Sequence, residues 1–514
     1  MPILNWIAKE KIENHDKDVP FRLLKKNKKL SLGDKSENLI VEGDNLEALK
    51  ALMPFYYGKV KCIYIDPPYN TGNEGWVYND KVNSPKIKEW LGKAVGPEGE
   101  DLTRHDKWLC MMYPRLKLLH DLLRDDGVIF ISIDDNEHCN LRMIMDEIFS
   151  PENFIGTLIW QRAKGGGNAK DLVRGHDYVL VYKKTVDTDI ILTQKGDKAN
   201  FHFQHYEKHP ENYIIKGDIL YFKNDDVIRK VFGKYVRGTE RRCEYEDILK
   251  LKGAKVKQEI DQKIKNSDYV LKKNKNGRHY VCRLEPVADM RRKMYTIISG
   301  FLSEVGKTEL DNIGLEKLFD YPKPSGFIKI LIDSVANKNS IILDSFAGSG
   351  TTAQAVLELN KEDGGNRKFI LVEMEKKIAR EITQERIRRV TKQKDLKGNF
   401  EYVELGDTLF SASGTINEKV SFEEMASYVY FTETLTNIEK RKIKGNFIGE
   451  HNGTEYFLLF KQKDENILNR LALKGLKKDG EQKVIYADKC LLGDEVLKDY
   501  GIIFKQIPYS VRVY

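Results

Sequence analysis

Residues 60–70 read Val-Lys-Cys-Ile-Tyr-Ile-Asp-Pro-Pro-Tyr-Asn. The apolar run Cys62–Ile65 has the composition of a buried strand, and it stops at Asp66, Pro67 and Pro68. Proline cannot donate to a sheet ladder and fixes its own φ. The carboxylate, two carbonyls and the Tyr69 ring are therefore held rigidly past the strand's C-terminal end, the edge at which open α/β sheets bind ligands. Such a group suits an exocyclic amine: Asp66 and the carbonyl of Pro67 both accept from one –NH2, while Tyr69 offers a face on which a base stacks. The bland alternative is a plain Pro-Pro turn.

A second stretch, Ile341-Ile-Leu-Asp-Ser-Phe-Ala-Gly-Ser-Gly-Thr-Thr352, has the physics of a nucleotide-site turn. Gly348 and Gly350 allow positive φ and close backbone approach, and the helix that follows presents free N–H groups. The lysine of a phosphate-gripping G-K-[ST] and the full G-x-G-x-x-G spacing are both missing. Glu373 closes the apolar run Phe369–Val372 at about 20 residues beyond the glycines, the spacing at which an acid reaches a ribose hydroxyl pair. A glycine turn into a helix is also often only a tight connection.

The elements that must position these groups are strands and helices in alternation. Residues 38–52 read as strand, Gly-Asp turn and helix, with Asp44 or Asn45 as the N-cap. Residues 105–127 space Trp108, Met112, Leu116, Leu119 and Leu123 as an amphipathic helix, with Pro114 arguing for a kink or break near its start. Val128–Asp135 is an apolar strand ending in two acids, and a further helix follows. Fully apolar strands between helices mean a parallel sheet covered on both faces. Residues 73–104, rich in Gly, Pro and charge, read as a long loop of the kind that is usually functional or mobile. After Ile155 two strand-like runs surround Gly165–Gly167, a candidate phosphate-binding nest or a mobile loop, and 184–320 is aperiodic. The α/β texture returns near 325, and from about 415 short strands form a further segment.

A chain of 514 residues corresponds to roughly three domains at about 150 each. No apolar run reaches the roughly 18 residues of a membrane span, and the N-terminal stretch lacks a secretory h-region. The cysteines at 62, 110, 139, 243, 282 and 490 form no C-x-x-C pair, which argues against a zinc site or a disulfide framework and fits a reducing cytoplasm. Of the net charge of +8, residues 156–320 carry about +9 (33 Lys+Arg against 24 Asp+Glu). Aromatics interleave these charges, as in "KYVRGTERR", "LKKNKNGRHYVCR" and "MRRKMY". A polyanion is the expected partner, since Lys and Arg displace counterions condensed on phosphates; a solvated lysine-rich surface is the alternative.

Asp-Pro-Pro-Tyr together with Phe-Ala-Gly-Ser-Gly-Thr-Thr resembles the S-adenosylmethionine-dependent amino-methyltransferases of DNA. The leading Asp, where cytosine-N4 enzymes usually carry Ser, points to adenine N6. The order, with the Asp-Pro-Pro-Tyr motif first and the glycine motif last, is that of the permuted beta class. Residues 4–24, 106–137 and 175–184 resemble the modification (Mod) subunits of Type III restriction-modification systems and their solitary relatives, over about residues 1–410.

The resemblance implies a Rossmann-like methyltransferase fold of mostly parallel sheet, circularly permuted, with an inserted target recognition region and a small C-terminal α/β domain. The boundaries are 1–155 for the catalytic half, 156–320 for the basic recognition region, 321–412 for the cofactor half and 413–514 for the last domain. It places Asp66, Pro67, Pro68 and Tyr69 at the reacting amine. Asp344, Phe346, Gly348, Gly350 and Thr351 go with the cofactor's methionine side, Glu373 with its ribose, Asp44 with its adenine, and Lys323 (with Pro324) with the far side of its pocket. Asn70, His176 and Asp177 lie near the target base, Asp177 standing where the family carries a longer acid. No metal is expected. Double-stranded DNA, a second copy of the chain and a restriction (Res) subunit are the implied partners. The competing readings are a DNA-targeting specificity subunit for a partner nuclease, the same transfer onto cytosine N4 or RNA, and a nicotinamide-dependent oxidoreductase, which leaves Asp-Pro-Pro-Tyr and the basic segment unexplained.

Overall fold

A computed structural model describes residues 3–33, 36–71, 103–165, 172–195, 213–216, 219–222, 245–266, 269–273, 277–286, 291–411, 415–439, 443–461, 465–474, 476 and 481–507. Residues 73–102 of the expected loop, most of the Gly165–Gly167 nest and the basic run 234–242 lie outside these residues, while the last two residues assigned to that loop, Thr103 and Arg104, are the cap and first residue of a helix. The chain divides into two compact units, Met1–Ile190 with Tyr295–Tyr514, and Ile191–Met294.

The first unit is built on a ten-stranded sheet. In chain order its strands are β1 Arg22–Lys26, β2 Leu39–Glu42, β3 Val60–Ile65, β4 Leu123–Ile133, β5 Phe154–Gln161, β6 His176–Lys183, β7 Ile297–Ile298, β8 Ile341–Asp344, β9 Lys368–Glu373 and β10 Glu401–Thr408. They lie in the order β1-β10-β2-β9-β8-β3-β4-β6-β5-β7. From β10 to β4 the pairings are all parallel. β6 and β5 then add antiparallel beyond β4. Every residue of β3 is buried, as a strand covered by helices on both faces requires. The α/β class and mostly parallel sheet expected from the apolar strands are the observed architecture.

The covering helices are α1 Asn45–Tyr56, α2 Arg104–Leu122, α3 His138–Phe149, α4 Ser303–Asp311, α5 Ser325–Val335, α6 Thr351–Asp363 and α7 Gln384–Gln393. Asp44 caps α1 by accepting from Leu46 and Glu47 N–H. Thr103 and Asp106 close a capping box on α2. That helix continues from Arg104 to Leu122 with Pro114 inside it, rather than breaking there. Its buried face, which includes Trp108, Met112, Leu116 and Leu119, holds the segment on the sheet.

Chain order and sheet order diverge at one place that matters. β8 lies beside β3, with Ile342 opposite Cys62 and Leu343 opposite Ile63. The glycine turn and the Asp-Pro-Pro-Tyr turn thus leave the same edge of the sheet from neighbouring strands, although they are far apart in sequence.

The separately folded unit is narrower than the basic segment 156–320. β5 and β6 belong to the main sheet because their apolar residues, among them Leu158, Trp160, Val179, Leu180 and Val181, cover an edge that β4 would otherwise leave open. The unit Ile191–Met294 contains a four-stranded antiparallel sheet of Tyr213–Lys216, Ile219–Phe222, Tyr269–Lys273 and His279–Pro286, with a helix at Ala254–Lys265. The C-terminal segment has its own four-stranded sheet and a helix, α8, at Phe422–Thr434. It is continuous with the first unit: Leu23 of β1 enters its core beside Met425 and Val429, and Phe431 enters the main core.

The glycine turn is locked from behind by α7, which follows a π-helical turn at Ala379–Thr383. Thr383 Oγ1 donates to Gly348 O at 2.6 Å. The fully buried Arg386 donates to Gln354 Oε1, Ser349 Oγ and Thr351 Oγ1 at 2.7–2.9 Å. It also pairs with Glu309 of α4 at 2.9 Å. Glu309 in turn accepts from Ser325 N–H and Oγ at the start of α5. One guanidinium thus ties α4, α6 and α7 together, and α5 through Glu309. Burial holds its pKa down to about 10. Arg386→Met removes one partner of this buried pair and is expected to destabilise the first unit by about 3 kcal/mol, read as an earlier midpoint in denaturant melting.

Candidate active site

Asp66 leaves the end of β3 with its two carboxylate oxygens in different states. Oδ2 accepts from Lys323 Nζ at 2.6 Å. Oδ1 is buried and meets no hydrogen-bond partner among the described residues. An unpartnered buried acceptor costs roughly 1–3 kcal/mol, so its persistence at a strand end marks a place for a donor from outside. The Lys323 ammonium also donates to Tyr69 OH at 3.1 Å and lies 5.1 Å from the Tyr69 ring centroid. Burial and the neighbouring Asp66 charge hold the Tyr69 hydroxyl well above the usual tyrosine range.

The turn itself is gripped from inside. Trp108 of α2, fully buried, donates its indole N–H to Pro68 O at 2.7 Å. Asn70 adopts a positive φ of 58°, and its side chain is buried rather than turned toward a base. It donates to Arg104 O at 3.2 Å and to Glu137 Oε1. Glu137, itself fully buried, also meets His105 Nδ1 at 2.7 Å and accepts from Asn140 at 2.8 Å. Trp108 and Glu137 carried no signal in the sequence beyond a helical apolar spacing and a charge in a polar run.

Asp177, on β6 opposite Trp160 of β5, is the second carboxylate of the basin. It is buried and pairs with Arg162 at 3.0 Å. Burial raises its pKa to about 6, against the pull of Lys323 and Arg162, and the Asp66 charge adds to the rise. His176, one residue before it, is exposed, with its ring 5.0 Å from that of Tyr178. Gly165 is exposed as well.

On the β8 side, Gly348 and Gly350 have φ of 49° and 78°. Asp344 is buried to a pKa of about 7, and its oxygens turn inward to Phe346 N–H at 3.0 Å and Thr352 Oγ1 at 2.5 Å. It shapes the turn. Thr351 Oγ1 likewise points inward, to Arg386 and Lys323 O. Glu373 ends β9 and accepts from Gly348 N–H at 2.9 Å and Glu375 N–H at 2.8 Å, so backbone donors fix its carboxylate at the sheet edge beside the turn. Asp44 is occupied by its cap and by Arg115 at 3.2 Å. Phe346 is half-buried against the main core, and Ser345 Oγ is buried with no partner among the described residues. A glycine turn, a fixed strand-end carboxylate, an aromatic ring and an orphaned hydroxyl fit a nucleoside-bearing, positively charged cofactor. Among the described residues no cluster of His, Cys, Asp and Glu is placed to hold a metal ion, and no helix is long and apolar enough to cross a membrane.

Residues 60–385 match the DNA methylase family. The chain is 31% identical over 441 residues to the Type III restriction-modification enzyme EcoPI Mod subunit of Escherichia phage P1, covering 76% of this chain and 68% of that protein. It is 32% identical over 403 residues to the StyLTI Mod subunit of Salmonella typhimurium, covering 73% and 59%. With the Type II methyltransferase M.KpnI of Klebsiella pneumoniae it shares 34% over 368 residues, covering 67% and 82%.

The raised Asp177 pKa has a definite sign. An acid moved from about 3.8 up to about 6 binds its proton more tightly folded than unfolded, so it subtracts stability as pH rises through that window. Asp177→Asn is expected to melt at a higher temperature than wild type at pH 8, with the gap narrowing toward pH 4.5; thermal melts at both pH values check this.

Proposed function

The chain belongs to the DNA methylase family, and from that premise we propose that it methylates N6 of adenine in double-stranded DNA through the basin around Asp66. It is an adenine-specific, S-adenosylmethionine-dependent DNA methyltransferase. The observation that carries the assignment of the basin is the Asp66 carboxylate, with one oxygen taken by Lys323 and the other buried and vacant. That vacant acceptor suits an exocyclic amine.

S-adenosylmethionine, when bound, supplies a methyl group already activated on a sulfonium. Gly348, Gly350, Phe346 and Glu373 are the residues that would hold it. Asp66 Oδ1 and the Pro67 carbonyl accept from the amine, which keeps the nitrogen lone pair off the ring and stabilises the positive charge that develops there. The rigid prolines and the Trp108 bond to Pro68 O keep those acceptors aimed, so the catalytic work is positioning. Tyr69 stacks on the base. The target atom is out of reach inside a duplex, so the adenine turns out of the helix at a cost of a few kcal/mol, part of which Tyr69 stacking offsets. Asp177 and His176 border the base.

The basic segment 156–320 holds phosphates and reads base edges. Two of the relatives are named as Mod subunits of Type III restriction-modification enzymes. The proposed setting is therefore a cytoplasmic, homodimeric modification chain that also directs a restriction partner to its DNA. Methylation and targeting are compatible in one chain, so the specificity-subunit reading is contained in this one.

The test is methyl transfer from tritiated S-adenosylmethionine to genomic DNA. Wild type is expected to label DNA. Asp66→Ala is expected to lose at least about a thousandfold in rate while still binding cofactor. Tyr69→Ala, which keeps the acceptors but loses the stacking face, is expected to lower kcat/KM by about 10- to 100-fold. A wild type that binds cofactor and labels no DNA would overturn the reading.

A further inference from the structure

Lys323 faces two ways. Its carbonyl accepts from Thr351 Oγ1, at the start of the helix that follows the glycine turn, at 3.2 Å. Its ammonium turns to the other motif, 2.6 Å from Asp66 Oδ2 and 3.1 Å from Tyr69 OH. The charged end lies 5.1 Å from the Tyr69 ring centroid and 5.6 Å from that of Trp160, and only 12% of the side chain is exposed. The resemblance to known sequences had put this lysine in the cofactor pocket, yet its side-chain hydrogen bonds go to the base-binding turn.

We propose that Lys323 is a positioning residue for Asp66: it clamps Oδ2 and supplies the counter-charge, so that Oδ1 alone is presented to the incoming amine. The inference rests on the reading of Asp66 as the amine's acceptor and extends it to a residue that need not touch the substrate.

Three carboxylates crowd this corner of the sheet. The Asp66 charge pushes Asp177 and Asp344 toward their neutral forms, and the Lys323 charge pulls both back. Arg162 serves Asp177, while the Asp344 oxygens are bound within their own turn. Among the described residues the cation paired with Asp66 is Lys323. Close carboxylates without a counter-charge favour the protonated state, and a protonated carboxyl is a poorer acceptor for an amine. A lysine bridging both oxygens would block the amine. A lysine on one oxygen fixes the rotation of the carboxylate and leaves the other free. The ammonium, flanked by the Tyr69 and Trp160 rings with a proline following it in the chain, has little room to leave that oxygen.

The test uses the full chain with Lys323→Met and Lys323→Arg, measuring equilibrium binding of S-adenosylmethionine and the single-turnover rate of DNA methylation at saturating cofactor and DNA. The expected result for Lys323→Met is a cofactor Kd within about threefold of wild type and a transfer rate lowered about a hundredfold. Lys323→Arg, which keeps the charge, is expected to recover at least a tenth of the wild-type rate. Retained cofactor binding shows that the Met variant is folded. A weakened Kd with an unchanged rate at saturation would return Lys323 to the cofactor pocket and overturn the inference. An unchanged rate with an unchanged Kd would overturn it too. A wild type that methylates no DNA would overturn the functional reading and this inference together, whereas an active wild type with an equally active Met variant overturns this inference alone.

Discussion

The pairing of β3 with β8 is the constraint on which the site depends. Ile342 lies opposite Cys62 and Leu343 opposite Ile63, so two turns separated by most of the chain leave one edge of one sheet as neighbours. Parallel strands need a crossover of at least a dozen residues, and here the crossover holds most of the molecule. That allows a separately folded basic unit, Ile191–Met294, to be inserted without disturbing the pairing. The Asp-Pro-Pro-Tyr turn and the glycine turn are brought together by a sheet register.

Behind each turn stands a polar network anchored on a fully buried charged side chain, Glu137 on one side and Arg386 on the other. Glu137, Asn70, His105 and Asn140 hold the Asp-Pro-Pro-Tyr side; Arg386, Glu309, Ser325 and Thr351 hold the glycine side. Buried polar groups are normally paired, and these are. Against that background Asp66 Oδ1 and Ser345 Oγ stand out, since both are buried, lack partners among the described residues and sit on the turns where ligands belong. The rigid surroundings keep these vacant positions from collapsing, which is what a site that works by placement requires.

The sequence made the chemistry legible where it was local. Asp66 through Tyr69 announced themselves because prolines after an apolar strand have few other uses, and Glu373 because its distance from the glycines has a geometric meaning. Residues acting through tertiary contact were silent. Arg386 and Glu137 carry no mark in the sequence that sets them apart, and Trp108 reads only as an apolar helix position. The Lys323 contact with Asp66 joins residues from distant parts of the chain, and no spacing rule reports it. Asn70 looked like part of a binding motif, but its positive φ and burial tie it to the turn's interior. The boundary at 156 followed a change of texture, whereas β5 and β6 remain with the main sheet because its open edge needs covering.

The most direct test of the central claim, that the Asp66 basin methylates the exocyclic amine of adenine, is the identity of the product. DNA incubated with the protein and methyl-labelled S-adenosylmethionine is digested to nucleosides and the label located by mass spectrometry. The expected result is label in N6-methyldeoxyadenosine. Label in N4-methyldeoxycytidine, or confined to a ring carbon, would contradict it.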